Sequence, residues 1–192
     1  MNIANKLSIL RIILAIIFRL VLSFQGLWAK AISLLLFICA ALTDLFDGMI
    51  AQKKNMVTDF GKIIDPIADK ILVFLAFAAF VKMQLIRDWM FVIILSREVL
   101  ITSLRIFALN KGKVLSAGKI GKHKTFSQML VIFVILGFIV FKEVMLAYFT
   151  WNPAWENIFR QGIDVFMWFI VALTLYSGFS YLWENRRIIA SF

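Results

Sequence analysis

The chain has one cysteine, two prolines and one histidine in 192 residues. A single thiol, Cys39, excludes an intrachain disulfide framework and a cysteine-rich metal site. It stands in an apolar run, where a small buried or lipid-facing residue is expected. No proline-rich linker, low-complexity tract or internal repeat is visible. His123 lies between two lysines and is read as exposed, so it is not assigned to catalysis. Charge is also scarce, at 17% of residues, against about 25% in soluble domains. Acids are the scarcer sign, 11 against 21 Lys and Arg. No small-x-small cleavage site follows the first apolar stretch, so no cleaved leader is expected.

Apolar residues fill the space that charge leaves. Hydrophobic residues make up 62% of the chain and aromatics 15%, with 20 Phe and 6 Trp, and the mean hydropathy is +0.92. This excludes a disordered chain, a coiled coil and a water-soluble globule; so much apolar surface needs lipid as its solvent. A membrane-crossing helix takes about 20 mostly apolar residues. Six segments qualify, near Ser8–Ser23, Leu27–Leu42, Phe60–Val81, Trp89–Leu109, Phe126–Tyr148 and Phe159–Trp183. The first is short and carries Arg11 and Arg19. The expected fold is all-α: a polytopic six-transmembrane-helix bundle, one integral-membrane domain over 1–192.

The basic residues are distributed unevenly. Lys6, then Lys53 and Lys54, then Lys111, Lys113, Lys119, Lys122 and Lys124, then Arg186 and Arg187 fall at the N-terminus, in alternate loops and at the C-terminus. The intervening loops hold fewer: Lys82 and Arg87, with Lys30, Lys142 and Arg160 near helix ends. By the positive-inside rule both termini face the cytoplasm. The net charge of +10 is accordingly read as cytoplasmic loops and attraction to anionic lipid, with no nucleic-acid partner. Trp28, Trp89, Trp151, Trp155 and Trp183 lie near segment ends and suit interfacial anchoring.

The few acids are concentrated. Five of the 11 lie between Asp44 and Asp69. Asp44 and Asp47 are spaced i, i+3, and Asp65 and Asp69 i, i+4, so each pair shares a helix face. Gly48 and Ala51 continue the first face and Gly61 begins the second; small residues there admit a ligand or another backbone. Four carboxylates cannot all stay ionised together without cations. Oxygen-only ligands favour Mg²⁺, Mn²⁺ or Ca²⁺, and two such ions can clamp a phosphate. Asp59 falls off this face and is read, with Thr58, as a helix start, and Pro66 as a kink beside Asp65. Spacing alone does not say which aspartate acts as a base.

The string Asp44-x2-Asp47-Gly48-x2-Ala51-Gln52, eight further residues, then Gly61-x3-Asp65-x3-Asp69, closely resembles the signature of the CDP-alcohol phosphatidyltransferases. The resemblance implies a six-helix membrane enzyme in which an acceptor hydroxyl attacks the lipid-bearing phosphorus of a CDP-activated donor and CMP leaves. By position it implies that Asp44, Asp47, Asp65 and Asp69 bind Mg²⁺ or Mn²⁺, two ions in all. It makes Asp69 the base, and places Asp44, Gly48, Ala51, Gln52 and Gly61 around the donor's cytidine diphosphate. One departure is clear: the family usually has Arg where this chain has Gln52. Gln donates hydrogen bonds but brings no charge.

A basic set complements the acids. Arg97 and Arg105, with Glu98, share an apolar segment and are eight residues apart, on one helix face. A charge within such a segment demands a partner or a polar cavity. The run Gly118-Lys119-Ile120-Gly121-Lys122-His123-Lys124-Thr125 suits a phosphate-binding turn. Lys111 and Lys113 are read as topology charges. Arg97, Arg105, Lys122 and Lys124 are read as contacts to a phosphate on the acceptor. With Asp65-Pro66-Ile67-Ala68-Asp69-Lys70 and the N-terminal Asn2-Ile3 and Asn5-Lys6-Leu7-Ser8 with Arg11, they resemble the phosphatidylglycerophosphate-forming branch, despite Ala4 and Ser8 where Pro and Thr are common. That resemblance implies CDP-diacylglycerol and sn-glycerol 3-phosphate as substrates, and a bacterial cytoplasmic membrane with the active site facing the cytoplasm. Other acceptors (inositol phosphate, serine, phosphatidylglycerol) and, from a different class, a divalent-cation channel or carrier are the alternatives. A homodimer is compatible with the apolar helix faces, though no one face is singled out.

Overall fold

The computed structural model describes residues 3–54, 59–111, 115 and 120–189, and all regular structure among them is helical. The helices are α1 (Ile3–Leu22), α2 (Leu27–Lys54), α3 (Asp59–Lys82), α4 (Asp88–Asn110), α5 (Ile120–Tyr148), α6 (Pro153–Glu184) and the short α7 (Arg186–Ile189). The first six coincide with the six apolar segments; the turn α7 was not anticipated. Several outrun their segments: α2 continues to Lys54 and α5 begins at Ile120. Helix α3 begins at Asp59 and runs on through Pro66. Among the described residues α5 and α6 are apolar enough over their length to pass as membrane spans. Helix α4 is interrupted by Arg97, Glu98 and Arg105, more charge than such a span usually carries, and α1 carries Arg11 and Arg19.

The chain forms two compact units, one of Met1–Lys82 with Ile132–Pro153, the other of Met83–Val131 with Ala154–Phe192. In the first, α1 and α2 make an antiparallel hairpin. Gly26 turns the chain at φ +97°, a conformation that costs glycine little. The Lys30 ammonium donates to the Leu22 carbonyl at 2.8 Å, capping the C-terminus of α1. Phe18 packs on Phe37, and Phe37 edge-on to Phe133 of α5. Helix α1 lies against both α2 and α3, which also touch each other. Its buried stripe, Ser8, Arg11, Ala15, Phe18 and Leu22, has helical period; Leu10, Ile13, Ile17 and Leu20 face outward. Buried alanines on three helices (Ala15, Ala40, Ala68, Ala76) permit the close approach on which helix association in lipid depends.

In the second unit α4 and α6 run parallel. Arg160 donates to the Gln84 carbonyl, Arg87 pairs with Asp164 at 2.8 Å, Trp89 packs on Trp168, Arg97 reaches Ser177, and Arg105 lies over Tyr181. Residue numbers rise together along both helices. That is the sense two helices take when one crossing, here α5, intervenes. Trp28, Trp155 and Trp183 are exposed near helix ends and Cys39 is exposed on α2, as expected of surface that meets lipid.

Candidate active site

The four aspartates fall in one unit. Asp44 and Asp47 stand one turn apart on α2, and Asp65 and Asp69 one turn apart on α3. Side chains over 44–54, 59–66 and at 69 lie outside the described residues, so Asp44, Asp47, Asp65, Asp69, Gly48, Ala51, Gln52 and Gly61 are located by backbone alone. The α1–α2 hairpin fixes what lies beside them. Phe18 meets Phe37; carried seven residues further in this antiparallel register, Arg11 comes level with Asp44, and Ser8 with Asp47. Both are buried, Arg11 at 1% exposure. A guanidinium so placed supplies positive charge at the height of the first aspartate pair, on a helix that packs against both carboxylate-bearing helices.

The basic set falls in the other unit, in a polar seam among α4, α5 and α6. Glu98, 3% exposed, is ion-paired with Lys124, itself buried, and also accepts from Arg97 at 3.3 Å. A carboxylate this deep needs such cations. The second Arg97 amino group donates to Ser177 at 3.0 Å. Opposite the Arg97 stem is Gly178, where an added Cβ would come within 3.1 Å of the arginine Cγ, so glycine there makes room for the arginine. About two turns further along α4, the Arg105 guanidinium lies 5.9 Å from the centre of the Tyr181 ring. Arg97 and Arg105 thus lean on the same side of α6, as their spacing requires.

Two sequence readings change here. The run from Gly118 to Thr125 is not a loop throughout: from Ile120 it is the first turns of α5. Glycine at 121 does not prevent this, because its entropic cost of about 1 kcal/mol is small in a helix of 29 residues. Residues 116–119 and the side chains of 120–123, including Lys122 and His123, lie outside the described residues. Lys124 is engaged with Glu98 rather than open to a ligand. Residues that were missed are Ser177, Gly178 and Tyr181. Their sign was Thr174-x2-Ser177-Gly178-x2-Tyr181, a polar and small stripe of helical period in an otherwise apolar helix.

Comparison with known proteins gives a family model, CDP-alcohol phosphatidyltransferase, matching residues 1–176. The chain belongs to the CDP-alcohol phosphatidyltransferase family. Similar relatives bear the name CDP-diacylglycerol–glycerol-3-phosphate 3-phosphatidyltransferase. One from Bacillus subtilis is 33% identical over 96% of this chain and 95% of its own length. One from Salmonella paratyphi A is 35% identical over the same shares, and one from Rickettsia typhi 33% over 94% of each. A CDP-alcohol phosphatidyltransferase of this kind is a membrane protein, and the family in general depends on a divalent metal. The donor set suits one: two aspartate pairs, each on a single helix face, on two touching helices offer only hard oxygen ligands.

Proposed function

We infer that the protein transfers the phosphatidyl group of CDP-diacylglycerol to sn-glycerol 3-phosphate, giving phosphatidylglycerophosphate and CMP. The observation that carries this reading is likeness along nearly the whole chain to relatives named for that reaction, joined to the intact aspartate spacing on α2 and α3. The acceptor hydroxyl oxygen forms a bond to the phosphorus that carries diacylglycerol. The bond from that phosphorus to the bridging oxygen breaks, and CMP leaves with the electron pair. Asp69 takes the hydroxyl proton. Asp44, Asp47, Asp65 and Asp69 would hold two Mg²⁺ or Mn²⁺ ions, which supply charge neutralisation at the pyrophosphate.

Asp44, Gly48, Ala51, Gln52 and Gly61 hold the cytidine diphosphate end. Arg97, Arg105 and Lys122 hold the acceptor's phosphate. Lys124 belongs to the same basic set and acts by neutralising Glu98, so that the carboxylate does not claim Arg97 entirely. The Lys/Arg bias supports termini and active site on the cytoplasmic side, and the bacterial relatives support a bacterial cytoplasmic membrane. The relatives named above are transferases, which disfavours a cation channel or carrier, and their named acceptor favours glycerol 3-phosphate over inositol phosphate, serine or phosphatidylglycerol.

The test is CMP release by purified protein supplied with CDP-diacylglycerol, Mg²⁺ or Mn²⁺, and a panel of acceptor alcohols. Release is expected with glycerol 3-phosphate; release only with another alcohol overturns the acceptor, and folded protein that releases no CMP overturns the reaction. Gln52 gives a second expectation. Restoring charge there with Gln52→Arg is expected to lower the KM for CDP-diacylglycerol about tenfold, the worth of a charge-assisted phosphate contact. A KM that is unchanged or higher excludes Gln52 as a missing contact.

A further inference from the structure

Tyr181 has one part that packing does not explain. Its ring is buried, 4% exposed, in an apolar cluster with Ile101, Ala108 and Leu115. Its hydroxyl is buried as well and, among the described residues, has no hydrogen-bond partner. Phenylalanine would serve the cluster better, because a buried hydroxyl without a partner costs stability. The surroundings indicate what the hydroxyl is for. The Arg105 guanidinium lies over the same ring, and both Arg105 and Tyr181 are within electrostatic reach of Arg97. The Nε of Arg97 is likewise buried without a hydrogen-bond partner. Two guanidinium groups on one face of α4, both leaning on α6, favour an anion beside them. Unused N–H and O–H donors beside them are the complement of a phosphate's oxygens.

We propose that α6 supplies part of the acceptor-phosphate site: Tyr181 donates its hydroxyl to the phosphate held by Arg97 and Arg105, and Ser177 with Gly178 positions Arg97. This rests on the assignment of Arg97 and Arg105 to the acceptor. It adds a neutral donor to the charged ones and ties α6 to acceptor choice. A tetrahedral phosphate satisfies several donors in fixed directions, whereas an uncharged alcohol leaves the buried Arg97 Nε and Tyr181 hydroxyl unpaired.

The experiment compares wild-type protein, Tyr181→Phe and Ser177→Ala in lipid nanodiscs with Mg²⁺. It reads glycerol 3-phosphate binding by calorimetry, KM for each substrate, and the melting temperature. Tyr181→Phe is expected to weaken glycerol 3-phosphate binding and raise its KM about tenfold. The KM for CDP-diacylglycerol should hold and the melting temperature should not fall, because the ring and its cluster remain and the lost hydroxyl has no partner among the described residues. Ser177→Ala is expected to move the same constant by a smaller factor. Unchanged glycerol 3-phosphate binding in Tyr181→Phe, with the wild type binding it normally, overturns this proposal alone. A wild type that binds no glycerol 3-phosphate and releases CMP with an uncharged alcohol overturns the acceptor assignment and this proposal together.

Discussion

Asp69→Asn is expected to lower CMP release at least about a thousandfold while the chain still folds. The size follows from the two roles the residue combines. Removing a general base costs about 10²–10⁴ in rate, and losing one carboxylate from a metal site weakens the neutralisation on which phosphoryl chemistry depends. Asparagine has the same shape and still accepts one hydrogen bond, but it cannot take a proton or offer a charge. Its place on α3 keeps the change local: Ala68, Leu72 and Ala76, which pack that helix, are untouched. Turnover and melting temperature of the purified variant check the expectation. Activity near wild type would falsify the assignment of the base. A large fall in melting temperature would move the residue from chemistry to structure.

The elements that carry this chemistry were readable in the sequence to different depths, for physical reasons. The six helices were visible because lipid imposes a run of about 20 apolar residues. Their ends were not, because a helix does not stop where its hydropathy does. Helix α2 runs on past Leu42 through Asp44, Asp47 and Lys54, and it is this polar extension that holds the first aspartate pair. The charges that matter most are also those that interrupt the apolar runs of α1 and α4. The aspartate pairs could be placed on faces because i, i+3 and i, i+4 are local relations. The partners of Arg97 could not: Ser177 is 80 positions away, and no local period reports which helix α4 will meet. The parallel course of α4 and α6 settles that, and it shows why a serine and a glycine stand side by side in an apolar helix.

Lys124 shows the same limit from the other side. In the sequence it reads as a contact to the acceptor's phosphate; in the fold its ammonium is buried against Glu98. The largest stability effect expected anywhere in the second unit lies here. Side-chain exposures are 2% for Lys124 and 3% for Glu98. Removing one partner of such a pair costs up to about 3–5 kcal/mol, less where a second cation such as Arg97 remains, whereas removing both at similar volume is often close to neutral. Lys124→Met is therefore expected to lower the melting temperature sharply, and Lys124→Met with Glu98→Gln to recover most of the loss. Function should separate from stability in this cycle. In Lys124→Met the Glu98 carboxylate turns to Arg97, already 3.3 Å away, and the KM for glycerol 3-phosphate rises. In the double variant residue 98 can offer Arg97 only a neutral acceptor and no charge, while Arg97 stays bonded to Ser177, so that KM returns toward the wild-type value. Single and double variants that both melt like the wild type would show that the pair contributes nothing to stability. A double variant that melts normally with an elevated KM would mean that Lys124 touches the acceptor itself, as the sequence first suggested.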